Sequence, residues 1–375
     1  MTRRETYLDW NATAPPRPEA VAAVTEALAH GGNPSSVHRR GRAARQRIER
    51  ARTTVAALVG TEPDGVTFVS GGTEANHFAL LGSGRARILV SAVEHNSVLQ
   101  AAPDSERIPV DANGIVDPEA LDAMLKADPR PALVSVMLAN NETGIVQPAA
   151  RIAAIAHANG ALFHCDAVQA AGKLPLDIAE IGADLLSLSA HKLGGPPGIG
   201  ALVVTGGTEP MPLLRGGGQE RGRRAGTENL PGIAGFAAAA EAASAGLAEY
   251  DRVRLLRDRL ETAALNAVPE ALVIGVAAPR LPNTTALALP GIAAETQIIA
   301  LDLDGVMVSA GAACSSGKVG PSHVLSAMGL PSRIAGCTIR ISLGWTTTET
   351  DIDHFLNAWI ALARRAIFRA ARVAA

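Results

Sequence analysis

A chain of 375 residues that is 47% hydrophobic and 19% charged is long enough for two domains with a sizeable core and too apolar to be disordered. Its formal net charge of −2 gives no global pull towards nucleic acid or an anionic membrane. No apolar segment follows residues 1–6, and no run approaches the roughly 18 uninterrupted apolar residues of a membrane span. Cys165, Cys314 and Cys337 are odd in number and scattered, which argues for a reducing cytoplasm and against a disulfide framework or a metal site.

Taken in chain order, the run 66–69 reads as a buried strand leading into Gly71-Gly72-Thr73-Glu74-Ala75-Asn76, which opens a helix. Glycines there let backbone N–H groups approach an anion at the positive end of the helix, and the Thr73 hydroxyl can add a bond. No Gly-Lys-Ser/Thr and no Gly-x-Gly-x-x-Gly is present, so a single phosphate fits better than a nucleotide. An ordinary capped turn is the plainer alternative. The strand at 88–90 is followed by Glu94-His95, and the strand at 133–136 by Asn140-Asn141-Glu142-Thr143-Gly144. A further apolar run, 161–163, ends at Asp166 and precedes Gln169, and the run from Leu186 ends in Ser189-Ala190-His191-Lys192. Helical patterns at 118–126 and 149–159 lie between strands, so the alternation predicts a largely parallel sheet covered on both faces. Ligands of such sheets bind beyond the carboxyl ends of the strands. Successive strands delivering polar groups at one end, with an Asp and a Lys among them, supply what pyridoxal phosphate requires. The amine condenses with the aldehyde, and the carboxylate keeps the pyridine nitrogen protonated.

The texture changes near residue 250. A charged helix at 250–267, strand-like runs at 272–274, 285–289 and 338–341, and a closing helix at 351–366 read as a smaller α+β domain. The alanine-rich stretch 237–245 reads as a packed helix. Cys314 stands in Ser309-Ala310-Gly311-Ala312-Ala313-Cys314-Ser315-Ser316-Gly317, which has little side chain to bury, so a mobile and accessible thiol is expected there. Cys165, inside a strand, reads as inert. Arg340 sits in an apolar strand and needs a partner, either a substrate carboxylate or an internal acid.

These residues together resemble the pyridoxal-phosphate-dependent cysteine desulfurases of the class V aminotransferase family. The resemblance runs nearly end to end, from Leu8-Asp9 and Asn11-Ala12-Thr13, through Gly216 to Glu220 with Gly226-Thr227, to Pro321-Ser322-His323 and Arg340 to Gly344. It implies a fold-type I α/β enzyme, with a mostly parallel seven-stranded sheet in a large domain (15–250). A small α+β domain (251–375) would carry the Cys314 loop, with 1–14 packed on it. Lys192 would hold the cofactor and move the substrate proton, Asp166 would pair with the pyridine nitrogen, Gln169 with the ring hydroxyl, and His95 would stack on the ring. Gly72, Thr73, Ser189 and His191 would bind the phosphate, joined by Thr227 from a neighbouring subunit, which implies a homodimer. Arg340, Asn33 and Asn141 would grip the carboxylate of L-cysteine, with Asn141 also near the cofactor. Cys314 would collect the sulfur as a persulfide, release L-alanine, and pass the sulfur to a protein such as an iron–sulfur scaffold. A selenocysteine lyase or another class V aminotransferase shares the scaffold. A non-catalytic sulfur-relay scaffold would have lost one of Lys192, Asp166, His95 or Cys314.

Overall fold

The computed structural model describes residues 4–311 and 322–374, with side chains described to 365; Cys314 lies outside the described residues. The largest element is a seven-stranded sheet in the order Val66–Val69, Gly200–Val204, Leu185–Ser189, Leu162–Asp166, Ala132–Ser135, Arg87–Ser91, Glu106–Ile108. All neighbours are parallel except those of Gly200–Val204, which runs antiparallel to both of its partners. The expected parallel sheet is therefore present, with one reversed strand that pairs Gly200 with Ser189.

Alternation along the strands explains why both faces are covered. Val134, Leu186 and Leu188 share a core with Leu121, Ile152 and Phe236 of three helices. Leu133, Leu185 and Leu202 point into a second core with Ala75 and Phe78 of the helix Gly72–Gly82. His164, on the strand Leu162–Asp166, is fully buried between Ser135 Oγ at 2.8 Å and Ser187 Oγ at 2.9 Å on the flanking strands. Burial holds it neutral, with its pKa lowered from 6.5 to about 3.

The later residues build a four-stranded antiparallel sheet in the order Ser309–Ala310, Thr338–Ser342, Thr284–Ala288, Leu272–Val273. Its core contains Leu287, Ile339 and Ile341 with Phe355 and Trp359 of the helix Glu349–Ala374. The N-terminal strand Thr6–Tyr7 pairs in parallel with Val306–Met307, and Asp9 bridges to Ser342. Among the described residues no single helix is long and apolar enough to cross a membrane.

A buried ion pair fastens the segment that follows the seven-stranded sheet. Arg52 donates from Nη1 and Nη2 to the two carboxylate oxygens of Glu220 at 2.7 and 2.9 Å, and the Phe68 amide donates to Glu220 at 2.8 Å. Glu220 and Arg221 both adopt left-handed backbone, with φ of 45° and 59°, which non-glycine residues hold only when their surroundings over-determine it. The bidentate pair supplies that determination.

Arg52→Met should therefore cost about 3–5 kcal/mol, read as a lower urea midpoint, because it strands a buried carboxylate. Adding Glu220→Met should recover much of the loss; an undiminished loss in the double variant would show that the pair is not what holds this segment. Acid should also destabilise the fold. His164 binds a proton at 6.5 when unfolded but only near 3 when folded, so its contribution is complete above 6.5 and falls as the pH drops towards 3. His164→Asn should flatten that part of a stability–pH curve, and an unchanged slope would remove His164 as its source.

Candidate active site

Beyond the carboxyl ends of the parallel strands lies a cavity of about 390 Å³. Gly72, Thr73, His95, Asn141, Asp166, Gln169, Ser189, His191, Lys192 and Arg340 all line it. Arg340 comes from the middle of the strand Thr338–Ser342, and the others follow strand ends of the parallel sheet: Asp166 and Ser189 are the last residues of their strands, Lys192 closes a short 3₁₀ turn after Ser189, and Gly72 starts the helix that follows Val66–Val69. Gly72 has no room for a side chain, since a Cβ there would stand 2.9 Å from Val168 Cγ2.

Asp166 is held on two sides. Its Oδ1 accepts from the Val168 amide at 2.9 Å and its Oδ2 from Asn76 Nδ2 at 2.7 Å. Asn76 Nδ2 also donates to Ser97 Oγ at 2.8 Å, so the Ser97 hydroxyl is left to donate to His95 Nδ1, 2.8 Å away. The Ser97 amide donates to the same Nδ1 at 3.1 Å. Nδ1 is thus an acceptor, and the neutral His95 ring carries its proton on Nε2. Burial lowers the His95 pKa; the Asp166 charge opposes this, while Lys192 and His323 add to it. His191 is likewise lowered, to about 4, by burial and then by Lys192.

Lys192 Nζ donates to the backbone carbonyls of Asn11 at 2.6 Å and Ala12 at 2.8 Å. Arg340 resolves the choice left open by its strand position. Its Nη2 donates to Asp9 at 2.6 Å and its Nη1 to the Asn141 carbonyl at 3.1 Å, so an internal acid is present. Its Nε nevertheless has no hydrogen-bond partner among the described residues, nor does Asn76 Oδ1. Buried polar atoms left in this way beside a cavity invite a polar ligand.

Two expected residues lie elsewhere. Asn33 is exposed and its side chain closes on the Ser35 amide at 2.9 Å, and the exposed Thr227 lines a separate small pocket beside Glu220 and Arg224. Neither reaches the cavity of its own chain. Asn11 and Asn76 line the cavity without having been expected there, and Lys173 and Glu94 stand behind its lining, bonded to Gln169 and to the Met137 amide. Glu94 is buried against the Met137 amide at 2.7 Å and the Ser91 hydroxyl at 2.8 Å, and burial above all pushes it up to about 8. Only the position of Asn11 and Asn76 inside motifs rich in small polar residues could have pointed to them.

The sequence matches the profile of the aminotransferase class-V family over residues 6–355. It is 48% identical to a cysteine desulfurase of Cereibacter sphaeroides, with 94% of each chain covered. It is 41% identical to the cysteine desulfurase IscS of Dictyoglomus turgidum, over 95% of this chain and 93% of that one. The X-ray structure of a NifS-like protein from Rickettsia africae superposes with a TM-score of 0.89 at 35% identity, covering 96% of this chain and 99% of the other. With a match of this extent, the chain belongs to the class V aminotransferase family.

Proposed function

We propose that this chain is a cysteine desulfurase that uses pyridoxal 5'-phosphate to convert L-cysteine to L-alanine and carries the sulfur as a persulfide on Cys314. The observation that carries the reading is the convergence of Lys192, Asp166 and His95 on one cavity, in a chain whose relatives are named cysteine desulfurases.

The residues present fit the cofactor. Lys192 offers an amine, and Asp166 a carboxylate already fixed by Asn76 and Val168 for a ring nitrogen. His95, neutral, offers a flat face and Gln169 an amide donor. Thr73, Ser189, His191 and the space over Gly72 suit one phosphate, with Thr227 of a second subunit as a further donor. When bound, the protonated ring withdraws electrons from the substrate α-carbon and makes carbon–sulfur cleavage accessible. Lys192 Nζ is then the base that moves the α-proton. Arg340, oriented by Asp9 and keeping Nε for a ligand, binds the substrate carboxylate with Asn141. The Cys314 thiol takes the sulfur: L-cysteine and the enzyme thiol give L-alanine and the enzyme persulfide, with no external electrons. A thiol or an acceptor protein such as an iron–sulfur scaffold then removes the outer sulfur. The same reading has the chain acting as a homodimer in the cytoplasm, with 15–250 holding the cofactor and 251–375 presenting Cys314.

Purified protein given L-cysteine and a thiol reductant should release alanine and sulfide in equal amounts. Cys314→Ala should keep the cofactor colour yet lose sulfide release by ~100-fold or more; an unchanged yield would sink the persulfide step. Turnover of selenocysteine but not cysteine would move the assignment to a selenocysteine lyase. Lys192→Ala should abolish both the visible band of the bound cofactor and turnover, and a retained band would place the covalent attachment on another lysine.

A further inference from the structure

Lys173 lies beneath the cavity, four residues after Gln169 in the turn that follows the strand Leu162–Asp166, and it is 3% exposed. Gly172, in left-handed backbone with φ of 72°, precedes it. Its Nζ donates to Gln169 Oε1 at 2.7 Å and to Asn11 Oδ1 at 3.0 Å. Several buried cations of this chain meet acids: Arg52 meets Glu220, Arg87 meets Glu106, and Arg340 meets Asp9, while Arg17 lies over the Trp345 ring. Among the described residues Lys173 meets no acid, and its charged neighbours are the cations Lys192 and Arg340. Desolvating an amine without a counter-charge is costly, so stability alone does not account for a lysine here.

The chemistry of the contacts gives it a task. The oxygen and nitrogen of a carboxamide are nearly the same size, so neighbours decide which way the group faces. Here the Lys173 head group donates to both neighbours, so both amides turn their oxygens towards it. Gln169 then aims Nε2 at the Asn11 carbonyl, 3.0 Å away, and keeps a second N–H on an amide that lines the cavity. Asn11 in turn aims Nδ2 at Thr284 Oγ1 at 2.9 Å and at the Asn141 carbonyl at 3.2 Å, the carbonyl that also accepts from Arg340. We infer that Lys173 is a positioning residue: it fixes the amide orientation of Gln169 and Asn11, so that the cofactor's ring hydroxyl meets a donor and the carbonyl shared with Arg340 stays in place. Burial, followed by the charges of Lys192 and Arg340, lowers the pKa of this amine, and in either protonation state it keeps N–H groups for the two amide oxygens. The inference rests on the cofactor reading above.

The test compares wild type, Lys173→Met, Gln169→Leu and the double variant, each purified and titrated with pyridoxal 5'-phosphate. Dissociation constants and the visible band of the bound cofactor are the readouts. Lys173→Met should weaken cofactor binding about tenfold, the loss of one hydrogen bond, and shift the band. In the Gln169→Leu background the same change should alter binding less than about twofold, because the amide it orients is gone. A merely structural lysine would cost the same in both backgrounds, and that result, or an unaltered constant and band in Lys173→Met, would overturn the inference while leaving the desulfurase intact. Should Lys173→Met fail to fold, Lys173→Gln replaces it. Glutamine can accept as well as donate, so an intermediate loss is expected and wild-type binding would overturn the proposal. Wild type that takes up no cofactor would overturn the cofactor reading and this inference together.

Discussion

The site is assembled on one buried asparagine. Asn11, 1% exposed, uses each of its polar groups: its N–H donates to Ser342 Oγ, its carbonyl accepts from Lys192 and Gln169, its Oδ1 accepts from Lys173 and Asn283, and its Nδ2 donates to Asn141 and Thr284. Lys192, Gln169 and Lys173 come from the loops of the parallel sheet, whereas Ser342 and Thr284 belong to the antiparallel one. The residue therefore fixes the distance between the group that would hold the cofactor and the strand that carries Arg340. Fully satisfied buried networks of this kind favour one arrangement, because any other leaves groups unpaired in a low dielectric. A displacement of one ångström at Asn11 would be passed to Lys192, Gln169, Lys173 and Asn141 together.

Electrostatically the site is quieter than its residue list suggests. Burial drives His95, His191, Lys173 and Glu94 towards their uncharged forms, each from its own side of neutrality. Of the charged groups beside the cavity, Asp9 and Arg340 face each other. Hydrogen-bond direction consequently decides much of the chemistry. The Ser97 amide sets the tautomer of His95, and Asn76 sets the orientation of the Ser97 hydroxyl.

What could be read from the sequence followed the reach of local pattern. Thr73, His95, Asp166, Ser189 and Lys192 each stand just past an apolar run, and the rule that parallel sheets bind ligands at strand ends was enough to gather them. The reversed strand Gly200–Val204 has the same apolar texture as its neighbours, so nothing local announced its direction. Asp9 as the partner of Arg340 could not be read, because the two lie 331 residues apart and meet only when a short bridge joins Asp9 to Ser342. Asn33 and Thr227 were drawn in by resemblance, and within one chain their loops lie away from the cavity. No local pattern marks Lys173, whose neighbour Gly172 packs close to Ala243 and Leu193, far from it in the sequence.

The pairing of Thr6–Tyr7 with Val306–Met307 and of Asn11 with Ser342 also has a consequence for how the chain is made. Asn11 is made 331 residues ahead of Ser342, whose hydroxyl receives its amide. At about 5–20 residues per second the N-terminal segment waits roughly 15–65 s for its partners. The parallel sheet spans residues 66–204 and can begin to form during that interval. The amine of Lys192 then lacks the carbonyls that receive it until the final strand has docked and drawn Asn11 into place. Capture of the proposed cofactor in its finished geometry would thus be a late event, and nascent chains truncated before Thr338–Ser342 would carry Lys192 without its seat.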